Sequence, residues 1–170
     1  RELSRVEIYD GRTLSVVLNA DDASHELSVA LTDYTRESLL ADGNDPAGAD
    51  RVGSGHVSFR DAAGGRGILL SGTNSYTGTT TIESGTRLVL GGDSALGGAG
   101  RHTSLLIADS ANAVLDLNGH AAYTGGVSVG HGGGIFLGTG NGGEGVLTLG
   151  ANAEDGAPSV AGGGSIAGDG

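Results

Sequence analysis

Residues 68–91 of this chain, ILLSGTNSYTGTTTIESGTRLVLG, align without a gap on residues 115–138, LDLNGHAAYTGGVSVGHGGGIFLG, at an offset of 47. Gly72, Tyr76, Thr77, Gly78, Gly85, Leu90 and Gly91 meet Gly119, Tyr123, Thr124, Gly125, Gly132, Leu137 and Gly138. Ile68, Leu70, Ile82 and Leu88 meet Leu115, Leu117, Val129 and Ile135, so turn residues and apolar residues coincide together. A repeat of this length restricts the chain to architectures in which one unit stacks on the next and buries a narrow apolar strip against it.

Inside the repeat the apolar residues alternate. Thr80 and Ile82, then Leu88 and Leu90, then Leu105 and Ile107 form short runs of period 2 separated by Gly-rich breaks. Period 2 predicts strands, and runs of this length predict short ones. A 47-residue unit holds two turns of about 20–25 residues each, and equivalent runs of successive turns then fall one above another as parallel strands. Helix is disfavoured from residue 56 onward, because each interior Gly costs a helix about 1 kcal/mol. At the corners Gly supplies the φ > 0 that sharp turns need, and Asn112, Asn118 and Asn141 are the next-best residues for it.

Composition points the same way. The chain has 35 Gly, 2 Pro, 4 Tyr, 2 Phe and no Trp in 170 residues, too few large side chains for an ordinary globular core. A thin solenoid tolerates this, so the expectation is an all-β parallel β-helix, a fragment of a longer rod. Nine Arg, no Lys and 20 acidic residues give a net charge of −11, which disfavours nucleic acid and anionic lipid as partners. Cysteine is absent, which excludes disulfides and thiolate chemistry. No stretch is apolar enough to span a bilayer, so membrane insertion by this segment is not expected, and the start at Arg1 lacks the pattern of a signal peptide.

Three parts are expected. Residues 1–34 carry longer, more charged alternating runs, LSRVEIY, TLSVVLN and HELSVALTDY, read as flanking strands, an N-terminal coil or a cap. Residues 35–55 lose the alternation, concentrate Gly and acids, and read as a protruding loop with one helical turn in RESLLA. Residues 56–170 hold the repeat. Because irregular segments on rigid scaffolds tend to carry function, Asp42, Asn44, Asp45, Asp50 and Arg51 of the loop are the candidate partner-binding residues.

The segment 71–98, SGTNSYTGTTTIESGTRLVLGGDSALGG, resembles the autotransporter-associated β-strand repeat. The resemblance lies in Asn74, Tyr76, Thr77, Gly78, Thr80 and Ile82, then Gly85, Thr86, Leu88 and Leu90, then Ala95, Leu96 and Gly97. A degenerate copy covers 115–138, with Tyr123 and Gly125 kept and Ala121 in place of the Asn. The resemblance implies a right-handed parallel β-helix in the passenger of a type V secreted protein. It also implies export through the periplasm, display at a Gram-negative cell surface or release from it, and a C-terminal translocator barrel outside this chain. The partner expected from it is a host protein or glycan, or another copy of the chain.

Catalytic candidates are weaker. Gly92-Asp93-Ser94 has the G-D-S of some serine hydrolases, but Ala95 follows where that pattern has Gly, and the repeat explains the same residues as a turn. His25, His56, His102, His120 and His131 show no ligand spacing. Asp109 and Asp116 are the acids that a carbohydrate-active β-helix would bring together. GGRG at 64–67, GGEG at 142–145 and GGGS at 162–165 lack the Asp of the calcium-binding nonapeptide. No catalytic residue, metal site or cofactor is therefore expected.

Overall fold

The computed structural model describes residues 4–22, 25–41, 43, 53–93, 95–97, 104–109, 112–138, 144–149 and 159–167. The fold is all-β with parallel sheets and one short helix among these residues. The chain opens with β1 (Arg5–Ile8) and then makes repeated passes. The first holds β2 (Thr13–Leu18), β3 (Glu26–Leu27) and β4 (Ala30–Asp33), followed by α1 (Arg36–Ala41). The second holds β5 (His56–Asp61) and β6 (Ile68–Leu70), and the third β7 (Thr80–Ile82) and β8 (Arg87–Leu90). The fourth holds β9 (Ser104–Ile107), β10 (Val114–Asp116) and β11 (Ala121–Thr124). The fifth holds β12 (Gly126–Val129), β13 (Gly134–Phe136) and β14 (Val146–Leu149), and the sixth β15 (Ser159–Gly162) and β16 (Ser165–Ala167).

Each pass gives one strand to each of two six-stranded parallel sheets. The first is ordered β2-β5-β7-β9-β12-β15 and the second β3-β6-β8-β10-β13-β16. Two smaller parallel pairs, β1 with β4 and β11 with β14, lie in neither. The register explains the 47-residue offset. Leu88 pairs with Leu115 and Leu115 with Ile135; Ile82 pairs with Ile107 and Ile107 with Val129. Residues 47 apart therefore stand two passes apart in one column.

The columns are the core. Val57, Leu105 and Val127 flank Thr80 in one; Phe59, Ile82, Ile107 and Val129 form a second; Ile68, Leu88, Leu115 and Ile135 a third. All of these are buried, and one apolar cluster draws on both large sheets. Small aliphatic side chains suffice because each contacts its own kind above and below.

Residues 1–34 place β2 and β3 at the edges of the two large sheets, with β1 and β4 forming a pair of their own. The run HELSVALTDY divides in two at Ser28 and Val29, since β3 belongs to the second large sheet and β4 to the pair with β1. Alternation alone hides such a corner, because both halves keep period 2.

Candidate functional site

Between the two small parallel pairs lies the segment in which the family-like motif falls. Residues 74–79 form no strand, and side chains do there what backbone pairing does elsewhere. The Asn74 amide oxygen accepts the N–H of Leu31, 2.8 Å away in the pass before, and its amide nitrogen donates to the carbonyl of Ala95 in the pass after. Asn74 is buried, so both bonds replace water that cannot reach these groups. Ser75 N–H adds a bond to the Leu31 carbonyl.

The rest of the motif is equally structural. Tyr76 is fully buried, with its hydroxyl 2.7 Å from Thr80 Oγ1, and burial pushes its phenol up to about 12. Thr77 donates both its N–H and its hydroxyl to Asp33. A Cβ on Gly78 would lie 2.3 Å from the Gly55 carbonyl, so only Gly permits the close approach at which Gly78 N–H bonds that same oxygen. Thr79 N–H donates to His56 Nδ1. Gly85 turns the chain with φ of 74°. Ile82, Leu88 and Leu90 are fully buried. Asn112 and Asn118 take positive φ as anticipated, and Asn141 lies outside the described residues.

In the second copy the same place is built differently. Ala121 replaces the Asn, and residues 121–124 are strand β11, paired through the backbone with β14. Tyr123 is half-buried on the outward side, Ala122 and Thr124 point inward, and Gly125 is buried at the bend before β12.

Asp42, Asn44, Asp45, Asp50 and Arg51 lie outside the described residues. The base from which their segment springs is well defined. Asp33 Oδ1 accepts Gly55 N–H at 2.8 Å, Asp10 Oδ1 accepts Ser54 N–H at 2.9 Å, Gly53 N–H reaches the Tyr34 carbonyl, and Gly11 N–H the Ser54 carbonyl. Tyr9 packs edge-on against Tyr34, ring centroids 4.9 Å apart. On the outgoing side, Thr35 Oγ1 caps α1 by accepting Ser38 N–H, and Ser38 Oγ donates to Glu7 on β1.

Two carboxylates that sequence reading did not single out as staples act as such. Asp61 accepts four N–H groups, from Ala63, Gly64, Gly65 and Gly67. Burial works against its charge, but these four bonds outweigh it and hold the carboxyl below its usual range. An Asp followed by the Gly-rich run AAGGRG was the available signal. Asp93, exposed on the turn after β8, accepts Ala121 N–H and faces His120 Nδ1, both at 3.0 Å. The bond from Ala121, then that from His120, lowers its carboxyl below the usual range.

Among the described residues the catalytic candidates are engaged in separate contacts. Asp93 is taken up by this contact between passes, and Ser94 and His102 lie outside the described residues. Asp116, buried, pairs with Arg87 and accepts Asn118 N–H in the second sheet, whereas Asp109 follows β9 of the first sheet and backs onto Gly130. Among the described residues no group of three or more His, Asp or Glu could hold a metal ion, and no helix is long and apolar enough to cross a membrane. No protein-family model matches the chain, and no curated protein or solved structure matches it either.

Proposed function

We propose that this chain is a non-catalytic segment of the passenger of a secreted bacterial autotransporter, shown at the cell surface or released from it, that presents a surface for adhesion to a host protein or glycan. In this reading the passes are coils of a right-handed parallel β-helix, and the translocator barrel is a separate element. The observation that carries the reading is Asn74. The first residue of the N-x-Y-T-G motif reaches with one side chain to the coil before and the coil after, which is the work a motif Asn has in a stacked-coil rod. The alternation of passes between two parallel sheets supports it as well. The bonds that tie Ser54 to Asp10 and Gly55 to Asp33 support residues 35–55 as the contact segment, since function tends to sit on irregular segments carried by a rigid scaffold.

The test has two parts. Small-angle scattering of the 170-residue chain is expected to give a rod-like particle. Labelled chain is expected to bind immobilised matrix or serum proteins, or a glycan array, saturably, and to lose that binding when residues 36–52 are replaced by a short Gly-Ser linker. Absence of binding to every surface tried sinks the adhesive reading.

A second reading, self-association side by side, is favoured by one column. Ser15, Thr81 and Ser128 stand in register on the outward side of the first large sheet, with Leu106 and the buried Ser58, bonded to Glu83, in the same column. Thr81→Arg in the middle of that column would abolish such pairing.

A further inference from the structure

We infer that the outer face of the second large sheet carries a binding site for a neutral saccharide, built on Phe136, Arg87 and Asn112. This goes beyond the adhesive reading above and is independent of residues 35–55. The site is a hollow of about 500 Å³ lined by Gly65, Gly85, Arg87, Asn112, Val114 and Phe136. Small-ligand sites occupy about 300–1,000 Å³, so the hollow has the volume of one. Its strands β8, β10 and β13 stand inside the sheet, with β6 on one side and β16 on the other, so it is not a sheet edge.

Alternation decides what faces the hollow. Leu88, Leu115 and Ile135 point into the core, so their neighbours Arg87, Val114, Gly134 and Phe136 point outward. In register, Arg87, Val114 and Gly134 form one row across the sheet, and Val89, Asp116 and Phe136 form the next. Gly134 leaves its row without a side chain, and the Phe136 ring leans into that gap. A Cβ on Gly134 would lie 3.8 Å from Phe136 Cε2, and Gly134 is buried although it faces outward. The ring thus has one side toward the Gly134 backbone and is still 43% exposed. The chain has two Phe and no Trp, and the other Phe, Phe59, is fully buried in the core. An exposed aromatic ring is the informative exception here.

Arg87 supplies the polar side. It reaches diagonally from β8 to Asp116 on β10, and among the described residues Asp116 is the one partner of its guanidinium. Asp116 is buried and also accepts the Asn118 N–H, whereas the Arg87 side chain is 59% exposed. The carboxylate therefore holds the guanidinium in place and balances its charge, and the remaining N–H groups are donors for hydroxyls. Asn112, exposed at the rim, adds an amide that both donates and accepts.

A flat ring beside donors of balanced charge suits a pyranose, which has a face of C–H groups and a rim of hydroxyls. The C–H face packs on Phe136 and Val114, and the hydroxyls bond Arg87 and Asn112. Acidic sugars fit less well, because Arg87 already has its carboxylate and the chain carries a net charge of −11. An apolar protein anchor would find only Val114 and Phe136, among positions that are polar or carry no side chain.

The experiment is an NMR titration of the labelled 170-residue chain with maltohexaose, lactose and mannopentaose, with a hyaluronate hexasaccharide as the acidic control. At least one neutral probe is expected to bind saturably and to shift the amides of Val114 and Phe136. Phe136→Ala is expected to weaken that binding about tenfold through loss of the ring contact, and Phe136→Tyr to keep it. Asn112→Gly, which retains the positive φ of 74°, is expected to weaken it by a smaller factor. Unchanged amide positions away from the site check that each variant is folded; Phe136→Leu, apolar but without the flat ring, replaces Phe136→Ala if it is not. No binding of any neutral probe, tighter binding of the hyaluronate, or equal binding by wild type and Phe136→Ala overturns the inference. Replacing residues 36–52 by a Gly-Ser linker separates it from the adhesive loop. Binding that survives the linker and falls with Phe136→Ala upholds the hollow, whereas binding that vanishes with the linker and survives Phe136→Ala overturns it and upholds the loop.

Discussion

The two copies of the repeat, 68–91 and 115–138, share a sequence pattern and a pair of sheets but differ in the segment that follows their strand of the second sheet. In the first, residues 74–79 are not a strand, and one Asn74 side chain bonds both neighbouring passes. In the second, Ala121 cannot do this, and β11 pairs through its backbone with β14. The tyrosines differ accordingly: Tyr76 is fully buried under the motif, while Tyr123 is half-buried on the outer side. Adjacent residues of a strand point to opposite faces, so a change from loop to strand turns the side chain over. The motif residues of the first copy are thus a side-chain substitute for a missing strand. A copy that keeps the strand has no need of them.

The largest expected difference lies in the tyrosines. Tyr76→Ala is expected to cost about 3–5 kcal/mol, as for other large buried aromatics, and Tyr123→Ala about 1 kcal/mol. Urea unfolding of the two variants beside the wild type measures both. Equal costs would break the comparison. Asn74→Ala comes next: it leaves the Leu31 N–H and the Ala95 carbonyl without their partner in a buried place, for a loss of about 2–4 kcal/mol. The reverse change, Ala121→Asn, adds an amide where the backbone is already paired, and thermal unfolding is expected to show almost no gain.

Much of this was legible in the sequence. The alternation at Thr80 and Ile82, Leu88 and Leu90, and Leu105 and Ile107 gives β7, β8 and β9, because a half-buried strand leaves that signature. The offset of 47 appears as two passes because columns of like residues are what makes stacking favourable. What could not be read is which residues meet across passes. Asn74 bonds Leu31 43 positions away, and Thr77 bonds Asp33 44 positions away, distances set by how many residues each loop holds. Nor does the pattern reveal the different setting of Tyr123, since both copies carry Tyr-Thr-Gly and only the second forms a strand there. Composition alone points to Asp42, Asn44, Asp45, Asp50 and Arg51, whereas Asp10, Asp33 and Ser54 beside them are tied by hydrogen bonds across passes that no local pattern encodes.

The carboxylate staples extend the comparison to pH. Asp61, beside the first copy, has a folded carboxyl pKa held low by four N–H bonds. A depressed pKa contributes stability that is present above the unfolded value of about 4 and is lost as pH falls through the lower folded value. Asp61→Asn keeps the shape but removes the charge and one acceptor oxygen, and is expected to cost about 1–3 kcal/mol at neutral pH. Its gap from the wild type should then close as both are acidified below about pH 4. A gap unchanged down to pH 2 would mean that shape, not charge, makes the turn.

Asp93 gives the smallest and most local effect, and it sits where the copies meet. It follows the first copy directly, and its partners Ala121 and His120 belong to the second. Its carboxyl is also held low, by the Ala121 N–H first and His120 second, but it is exposed, and solvent screens what it gains. Asp93→Ala is therefore expected to leave the unfolding midpoint at pH 7 nearly unchanged. The Ala121 amide is the sensitive probe: it loses its acceptor, so its hydrogen exchange is expected to quicken while amides inside β8 and β10 keep their protection. If exchange at Ala121 does not change, backbone pairing of β11 with β14 holds that corner unaided, and the second copy depends on side-chain staples even less than its lost Asn implies.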